Sequence, residues 1–420
     1  MHPFAIELDD RAVAFARDGQ VSSIAPSAVW DGSTGQASGS NAWGALRKYP
    51  TATSTHHLGA LLSQRTPSER TVGLVAAEWV RRLAADAPKS GESVWVGVPV
   101  RASQAGLGAL LAIARSLSLP IDGFVDSAVA TVAALGLERS AIVLELGLHH
   151  AAVTYVDHDG GQVRRRRTAL SERGGLMSVY QGWLELVSTT MVKQTRFDPL
   201  HDAATEQQLF DSLAGWARAA AEENAVRAVL TQGAERFEVV LTSDQFAQAG
   251  QSVHREVVRL LHELRPAGAP LVLVLPAAVA RLPGLQAGLE QFADCELLTV
   301  SDGFAAAAIS RLDLPVRGND DPVRLLRRLP LFETANAVEP LARGLLGPAA
   351  AANAAPSHLL LEGQVYSLSG PALVIGRAPV GPRTLTVSEG LAGVSRRHCT
   401  LATEGDELIL VDHSVFGTFV

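Results

Sequence analysis

The order of apolar segments in roughly the first three hundred residues is what most constrains the fold of this chain. Apolar and polar residues alternate in residues 4–30 and again in 141–161, which predicts antiparallel hairpins. Segments with helical spacing and buried-type strands follow, among them Val94 to Pro99 and Leu271 to Leu275. Because the same kinds of unit occur twice in the same order, the sequence predicts an α/β architecture of two related halves.

Composition limits the classes of function. The chain is 47% hydrophobic and 19% charged, which is typical of a globular protein, and its 420 residues predict two to four domains. The net charge of −7 gives no basic surplus that would indicate nucleic-acid binding. Cys295 and Cys399 form no CxxC motif, so we expect reduced thiols rather than a disulfide or a metal site.

The sequence also predicts a cytoplasmic protein. The N-terminus lacks a basic segment followed by an apolar run, so no signal peptide is predicted. No uninterrupted run of about 18 apolar residues occurs, so no transmembrane segment is predicted.

Residues 314–356 differ in composition from those before them and are predicted to form a linker. They separate a predicted domain at 1–313 from a second one at 357–420. At 324–329 three leucines lie among three arginines, which predicts one amphipathic helix within the linker. Such a helix could lie on a membrane surface, bind a partner or dock on its own domain, and we favour the last.

Several segments of the first domain form a recognisable series. In chain order they are WGALRK, VWVGVPV, IARSLSLPIDGFVDSAVATVAALGL, AIVLELG, PLVLVLPAAVARLPGLQAGL and SDGFAAAAI. The series resembles the ATPase domain of DnaK-type heat-shock chaperones, which is related to actin and the sugar kinases. The resemblance covers most of residues 1–312 and implies a two-lobed actin/DnaK-like ATPase fold around a nucleotide cleft.

The phosphate-binding turns of that family are altered here. In the fold, two hairpin turns hold the phosphates, with glycines for close backbone approach and polar residues that orient Mg²⁺ and water. Where the family has an Asp and a Gly-Thr-Thr type turn, this chain has Glu7 and then Asp9, Asp10 and Arg11. Carboxylates at the place of a triphosphate would repel it.

The other two parts of the nucleotide site also differ from the family's sequence pattern. The second turn is reduced to Glu145 and one glycine, Gly147, and no Gly-Gly pair follows the strand at the adenosine site. Because all three parts depart together, we expect a pseudoenzyme without ATP hydrolysis. His149 and His150 point to opposite faces of a strand, so we expect them in a solvated turn and not on one metal ion.

One residue leaves an alternative open. Lys48 falls at the position of the chaperones' catalytic lysine, although a lone lysine is most often a solvated surface residue. The resemblance then implies a nucleotide site, vestigial or active with ATP and Mg²⁺, that consists of Glu7, Asp9, Lys48, Glu145 and Gly147.

Three short strings near the end of the chain form a second pattern. They are LVIGR at 373–377, SRRH at 395–398 and DHSVFGTF at 412–419. Their order and spacing resemble the forkhead-associated (FHA) domain, a small all-β sandwich that binds phosphothreonine in partner proteins. The resemblance covers about the last sixty-five residues.

This resemblance assigns roles to individual residues. A phosphate carries about −1.5 to −2 charges and three acceptor oxygens, so a guanidinium and neutral donors suit it. The implied phosphopeptide contacts are Arg377, Ser395, Arg396, Phe416 and Gly417. The implied structural supports of the loops are Gly376, His398, Asp412 and Ser414.

Departures from the FHA family concern the last loop and the end of the chain. Val415 and Phe416 stand where many members have a Thr or Ser and then an Asn. The chain ends at Val420, where the family continues with an Asn and two more strands. We therefore expect an incomplete sandwich or a fragment of a longer protein, since an incomplete sandwich leaves an unpaired edge.

Together the two resemblances predict a non-catalytic bacterial adaptor without a cofactor. The FHA domain would bind a Thr-phosphorylated partner, which implies a Ser/Thr kinase, and the pseudo-ATPase domain would serve as a protein-binding platform. The alternative is an active ATPase or chaperone-like switch that the FHA domain localises. A third hypothesis, a filament-forming structural protein, has no sequence feature in its favour.

Overall fold

The structure of the chain, a computed structural model, confirms a mixed α/β protein. It divides into two compact units, Met1–Gly347 and Pro348–Val420. The residues that the structure describes are 2–33, 35–64, 66–265, 271–292, 295–315, 317, 321–333, 337–346, 358–361, 364–368, 370–387, 393–404, 407–415 and 417–418.

Strands and helices alternate along the first unit. Its strands are β1 (Phe4–Leu8), β2 (Ala12–Arg17), β3 (Gln20–Pro26), β4 (Val29–Gly32), β5 (Gly35–Ser38), β6 (Thr53–Ser54), β7 (Val94–Val98), β8 (Ile121–Asp126), β9 (Ala141–Leu146), β10 (Ala151–Asp159), β11 (Gln162–Ser171), β12 (Ala225–Gln232), β13 (Glu235–Thr242), β14 (Leu271–Pro276), β15 (Cys295–Val300), β16 (Arg324–Leu326), β17 (Arg328–Pro330) and β18 (Ala342–Leu346). Its helices are α1 (Ser40–Trp43), α2 (His57–Ser63), α3 (Glu69–Ala85), α4 (Gln104–Ser116), α5 (Ser127–Ala134), α6 (Leu176–Thr195), α7 (Ala203–Glu223), α8 (Ser243–Leu264), α9 (Ala277–Ala280), α10 (Leu285–Leu289) and α11 (Phe304–Ile309).

Two sheets of like order form the frame of this unit. One runs β3-β2-β1-β7-β8-β16, and the other runs β11-β10-β9-β14-β15, with β17 beyond β11 and β18 beyond β15. In both, an antiparallel hairpin continues through its first strand into parallel strands. The repeated order of units that the sequence predicts is therefore present as two sheets with the same succession of strands.

Two alanine-rich helices pack against both sheets. α5 follows β8, α11 follows β15, and the helices contact each other. Their alanines share one buried cluster with strand residues of the two sheets, such as Val125 and Val272. Because an alanine side chain is a single methyl group, the helices approach one another and the strands closely.

Each sheet also has an apolar core of its own. Leu58, Trp79 and Leu110 from α2, α3 and α4 pack with strands of the first sheet. Trp183 and Phe246 from α6 and α8 pack with strands of the second. These cores hold the ends of β1 and β9, and with them the turns that follow, in fixed positions.

The segment predicted to be a linker with an amphipathic helix forms strands instead. β16 adds in parallel to β8, β17 pairs with β11 and β18 pairs with β15, both antiparallel. The predicted helix is wrong because a short helix gains little by itself, whereas a strand here gains hydrogen bonds from a sheet that is already formed. The first compact unit consequently extends to Gly347 and not to residue 313.

The second unit is all-β in its described residues. Its strands are β19 (His358–Leu361), β20 (Gln364–Ser367), β21 (Leu373–Gly376), β22 (Thr384–Thr386), β23 (Cys399–Glu404) and β24 (Glu407–Asp412). β19 and β20 form a hairpin, and the others form a sheet in the order β22-β21-β23-β24. Leu368, Leu373, Leu385 and Leu401 make up its buried core.

Within the described parts of both units, no helix has the length and apolar character needed to cross a membrane.

Candidate functional site

Two turns at the ends of corresponding hairpins meet in the first unit. One joins β1 to β2 and contains Asp10, and the other joins β9 to β10 and comprises residues 147–150. Asp10 Oδ1 accepts a hydrogen bond from the backbone N–H of Leu148 at 2.8 Å, and Oδ2 accepts one from that of His149 at 3.4 Å. Asp10 is only 3% exposed. An anion that belongs to the chain itself therefore fills the second turn.

Two cationic side chains surround this carboxylate. His150 Nδ1 lies 3.1 Å and Arg101 Nη1 lies 3.7 Å from Asp10 Oδ2. Burial opposes ionisation of Asp10, but the hydrogen bond and charge of His150 outweigh it and hold the pKa of Asp10 well below its usual range. The same contact raises the pKa of His150 against the effect of its own burial. Asp10 and His150 therefore form a buried ion pair.

The two histidines do not lie in a solvated turn, so that prediction is wrong. His150 is 2% exposed, and Asp10 makes its burial tolerable. His149 stacks on His56 with ring centroids 3.4 Å apart, and its Nε2 lies 2.9 Å from Thr55 Oγ1. Burial, with a further contribution from the charge of His56, lowers the pKa of His149 to about 4. Among the described residues, no group of three or more His, Cys, Asp or Glu side chains is arranged to hold a metal ion.

Glycine at position 147 makes the entry of Asp10 possible. A Cβ there would lie 2.2 Å from Asp10 Oδ1 and 2.4 Å from His150 Cε1. Gly175, just before α6, is equally close-packed, since its Cβ would lie 2.2 Å from the Leu148 carbonyl oxygen. Close backbone approach, the property that a phosphate would require of these glycines, serves here to accommodate a carboxylate and the start of a helix.

Two carboxylates of the predicted nucleotide site lie beside the first turn. Glu7 Oε2 accepts a hydrogen bond from the backbone N–H of Ala306 at 3.0 Å. Arg11 pairs with Asp302 at 2.6 Å and lies 3.6 Å from Asp9. Burial raises the pKa of Glu7 to about 7. Burial also raises the pKa of Asp9 to about 6, although the charge of Arg11 opposes the shift.

Glu145 lines a narrow cavity together with Glu7 and Asp9. The cavity measures about 50 Å³, and Ser127 also contributes to its wall. Burial raises the pKa of Glu145 to about 8, and the charge of Asp126 adds to the shift. Ligand pockets usually measure about 300–1,000 Å³, so this cavity has room for water but not for a nucleotide. The structure thus brings the three predicted carboxylates together without space for the ligand.

Lys48 does not join this group. Its side chain is exposed and forms no ion pair with any residue that the structure describes. The segment that carries it is held against α7. There Gln207 accepts a hydrogen bond from the backbone N–H of Arg47 at 2.6 Å and donates one to the Trp43 carbonyl at 3.2 Å. The Arg47 guanidinium also lies 4.7 Å from the centre of the Phe210 ring.

A roomier cavity lies between α6, α7 and the segment that follows β14. It measures about 280 Å³, and its lining includes Arg11, Tyr180, Trp183, Arg218 and Arg281. Guanidinium groups beside aromatic rings suit a ligand that is both anionic and aromatic. This cavity of the first unit is close to the size of a ligand pocket and combines cationic with aromatic lining residues.

Three loops of the second unit are held together by hydrogen bonds at one end of the sheet. The N–H of Arg377, just after β21, donates to the Ser395 carbonyl at 3.0 Å. The N–H of Ala378 donates to the Arg396 carbonyl, also at 3.0 Å. From the loop after β24, the N–H of Val415 donates to Ser395 Oγ at 3.3 Å. Residues from three separate strings of the sequence are thereby adjacent.

Two of the predicted supports keep these loops in contact. Gly376 permits the approach of its neighbour, because a Cβ there would lie 2.1 Å from the Arg396 carbonyl oxygen. His398 Nδ1 accepts a hydrogen bond from the N–H of Ser395 at 3.2 Å. The N–H of His398 in turn donates to the Ile375 carbonyl at 2.7 Å. The loop that carries Ser395 is therefore fixed from both sides.

Asp412 organises the last loop. Its Oδ1 accepts hydrogen bonds from Thr418 Oγ1 at 2.7 Å and from the N–H of Ser414 at 3.0 Å. These bonds, that of Thr418 first, lower the pKa of Asp412 to about 2. Gly417 has a φ of +87°, a conformation that favours glycine. Phe416, a predicted contact, lies outside the described residues.

The exposed charge at these loops is positive. The side chains of Arg377 and Arg396 are exposed, and neither pairs with an acidic residue in the described part of the chain. Ser395 Oγ accepts the N–H of Val415, so its own hydrogen remains able to donate. The loops can therefore offer a guanidinium fork and a hydroxyl donor to an anion.

Sequence reasoning identified the carboxylates near the first turn but missed the role of Asp10. It predicted that these carboxylates would repel a phosphate. It did not predict that one of them accepts a backbone hydrogen bond from a turn 138 residues further along the chain. It also missed Arg101, whose contact with Asp10 depends on the tertiary structure. The only local signal is a pair of histidines in the second turn that matches the acidic residues of the first.

Comparison with known proteins does not assign a function to the chain. The chain matches no protein-family model, and no curated protein sequence matches it. The residues and contacts described above are therefore what supports an assignment.

The buried carboxyl groups predict a loss of stability with rising pH. Folding raises the pKa of Glu145 to about 8 and that of Glu7 to about 7 from an ordinary value of 4.5. Their contribution is fully present below that ordinary value and is lost as the pH rises through the folded values. Urea titrations should show these two groups lowering the free energy of unfolding from about pH 5 upwards, by up to about 1.4 kcal/mol per pH unit for each retained proton, with the fall levelling off above about pH 8.

Glu145→Gln tests the origin of this slope. The substitution keeps the shape of the side chain and removes its titration, so the slope above about pH 7 should become flatter. Glu222→Gln changes an exposed carboxylate in α7 and serves as the matched control, which should keep the wild-type slope. Equal slopes in all three proteins would contradict the assignment to Glu145.

A second prediction concerns Asp10→Ala. The substitution removes the anion from the turn and leaves His150 and Arg101 without their counter-charge, so we expect the free energy of unfolding to fall by about 3–5 kcal/mol. Inorganic phosphate should restore part of this loss, because the vacated donors suit an anion. Thermal unfolding in a phosphate series at constant ionic strength measures the recovery.

Asp9→Ala is the control for that series, since its carboxylate lies outside the second turn. It should respond to phosphate no more than the wild type does. If phosphate stabilises all three proteins equally, the turn is not an anion site.

Proposed function

We propose that the chain is a non-catalytic adaptor whose C-terminal unit binds phosphothreonine in a partner protein. In this proposal the second unit is an FHA-type sandwich, and the first is a two-lobed DnaK-like fold without ATP hydrolysis. The observation that carries the proposal is the meeting of Arg377, Ser395 and the 412–418 loop at one end of a small sheet. A Ser/Thr kinase that phosphorylates the partner is implied.

The chemistry of these loops matches a phosphate group. Arg377 provides a charged fork and Ser395 a hydroxyl donor. In the described residues of these loops the one acidic side chain, that of Asp412, is engaged by Thr418 and Ser414. Each charge-assisted bond contributes about 1.5–3 kcal/mol, which is enough for micromolar binding when a few act together. That threonine carries the phosphate is inferred from the resemblance of the three strings to the FHA family.

The absence of catalysis is inferred from the first unit. Asp10 occupies the N–H groups of the second turn, and the cavity beside Glu145 measures only about 50 Å³. A triphosphate would have to displace a buried carboxylate from its ion pair with His150. These contacts support a unit that does not hydrolyse a nucleoside triphosphate in this turn.

Fluorescence polarisation with a phosphothreonine peptide library and its unphosphorylated counterpart tests the proposal on the full chain. The phosphorylated peptides should bind, and Arg377→Ala or Ser395→Ala should weaken binding by about tenfold or more, because each removes a bond to the phosphate. Arg397→Ala, on the neighbouring exposed arginine, is the matched control and should keep the affinity. Equal binding of phosphorylated and unphosphorylated peptides would refute phosphate recognition.

A second candidate function is an ATP-binding switch that the C-terminal unit localises. The cavity of about 280 Å³ lined by Tyr180, Arg218 and Arg281 favours it, because its size and charge suit a nucleotide base and an anion. Against it stand the filled turn and the exposed position of Lys48.

Thermal unfolding with Mg-ATP separates the two candidates. We expect no shift of the unfolding midpoint at about 1 mM Mg-ATP, since a ligand that does not bind the native state cannot stabilise it. A shift of several degrees that is lost in Arg281→Ala and kept in the control Lys48→Ala would favour the switch instead.

A further inference from the structure

An apolar groove beside β16 belongs to neither site described above. It lies between α4 and β16 and encloses about 500 Å³. On the helix side the groove is lined by Gln104, Leu107, Gly108 and Leu111. The last three lie three, four and seven positions after the first, which places all four on one face of α4. The groove is therefore a continuous channel along a helix.

The strand side of the groove offers an open edge. Val323 and Leu325 line it, and Arg327 lies at its end. In the described strands β16 pairs with β8 on one side and lies at the edge of its sheet on the other. Such an edge presents backbone N–H and C=O groups, and an extended peptide can pair with them as an added strand.

Gly108 leaves part of the helix side of the groove without a side chain. Gly108 is exposed in the middle of the helix, where glycine costs about 1 kcal/mol relative to alanine. No atom lies within 4 Å of the position that its Cβ would take. At Gly106, by contrast, a Cβ would lie 2.3 Å from the Leu62 carbonyl oxygen. Packing explains the glycine at 106 but not the one at 108, whose missing side chain leaves space in the groove.

The charge around the edge strand indicates the chemistry of the occupant. Arg324, Arg327 and Arg328 are exposed, and none forms an ion pair with a residue in the described ranges. Arg164, opposite Arg328 in the register, is by contrast within 3.4 Å of Asp159. Arg327 lines the end of the groove, and Arg324 lies on the opposite face of β16, near Asp122 and Asp321. These two arginines offer positive charge on both faces of the strand to a segment with carboxylates.

We propose that β16 and this groove bind an extended acidic segment of a partner protein. Its backbone adds a strand to the open edge of β16, and its apolar side chains at alternate positions enter the groove between Leu111 and Leu325. Its carboxylates on the opposite face lie beside Arg324, and one at its end lies near Arg327. The surface lies within the first unit and the inference does not depend on phosphothreonine binding.

The test uses the full chain and a fluorescein-labelled ten-residue peptide in which valine or leucine alternates with aspartate or glutamate. We expect saturable binding that weakens as salt is raised, because exposed charges contribute. Gly108→Trp fills the groove and should weaken binding by about tenfold or more, as should the charge reversal Arg327→Glu. Gly108→Ala, which adds one methyl and raises helix propensity, should leave the affinity within about twofold.

Several results would overturn the proposal. They are equal binding of a peptide with lysine in place of the acidic residues, no binding of the acidic peptide, and wild-type affinity in both Gly108→Trp and Arg327→Glu. A dimer in solution that Gly108→Trp dissociates would identify a second copy as the occupant instead. Arg377→Ala should bind the acidic peptide normally, so a failure of phosphothreonine recognition is distinguishable from a failure here. If Gly108→Trp does not fold, Arg324→Glu with Arg327→Glu decides the question, since both side chains are exposed.

Discussion

The buried charge of Asp10 is the constraint on which the first unit depends. A protein interior tolerates a carboxylate only where donors and opposite charges surround it. Here the donors come from the turn after β9 and the charges from His150 and Arg101, so the contact joins the two sheets at corresponding hairpins. The nearby carboxyls of Glu7 and Glu145 respond in the opposite way, because burial raises their pKa values and outweighs the charges of Arg11 and His150.

The two units apply one kind of chemistry with different outcomes. In the first, backbone N–H groups and cations surround an anion that the chain supplies itself. In the second, Arg377 and Ser395 lie at loops of similar construction, but the carboxylate of Asp412 bonds to its own loop and leaves the guanidinium exposed. The proposed roles of the two units follow from this difference. An external anion can bind at the loops of the second unit, whereas in the first unit it would have to displace Asp10.

Local sequence signals predicted much of this fold, and long-range contacts account for what they missed. The strands Val94–Val98 and Leu271–Pro276 and the helices Gln104–Ser116 and Ser243–Leu264 follow from runs of apolar residues and helical spacing. The leucine–arginine segment at 324–329 is short, and its pattern fits the helical period as well as the strand period, so the prediction of a helix was wrong. The segment forms strands because β8 and β11 offer sheet edges with which it can pair. The adjacency of Arg377, Ser395 and Val415 was predictable only by resemblance, and the pairing of Asp10 with residues 138 to 140 positions away was not predictable from the residues at all.

The tight fit at Gly147 has a consequence for how this chain can change. A Cβ at that position would collide with both Asp10 and His150, so a side chain at 147 requires both partners of the ion pair to move. Loss of Asp10 alone removes the closest counter-charge of His150 and Arg101. Single substitutions on either side of the contact therefore cost stability, and the closed turn is separated from sequences with an open turn by destabilised intermediates.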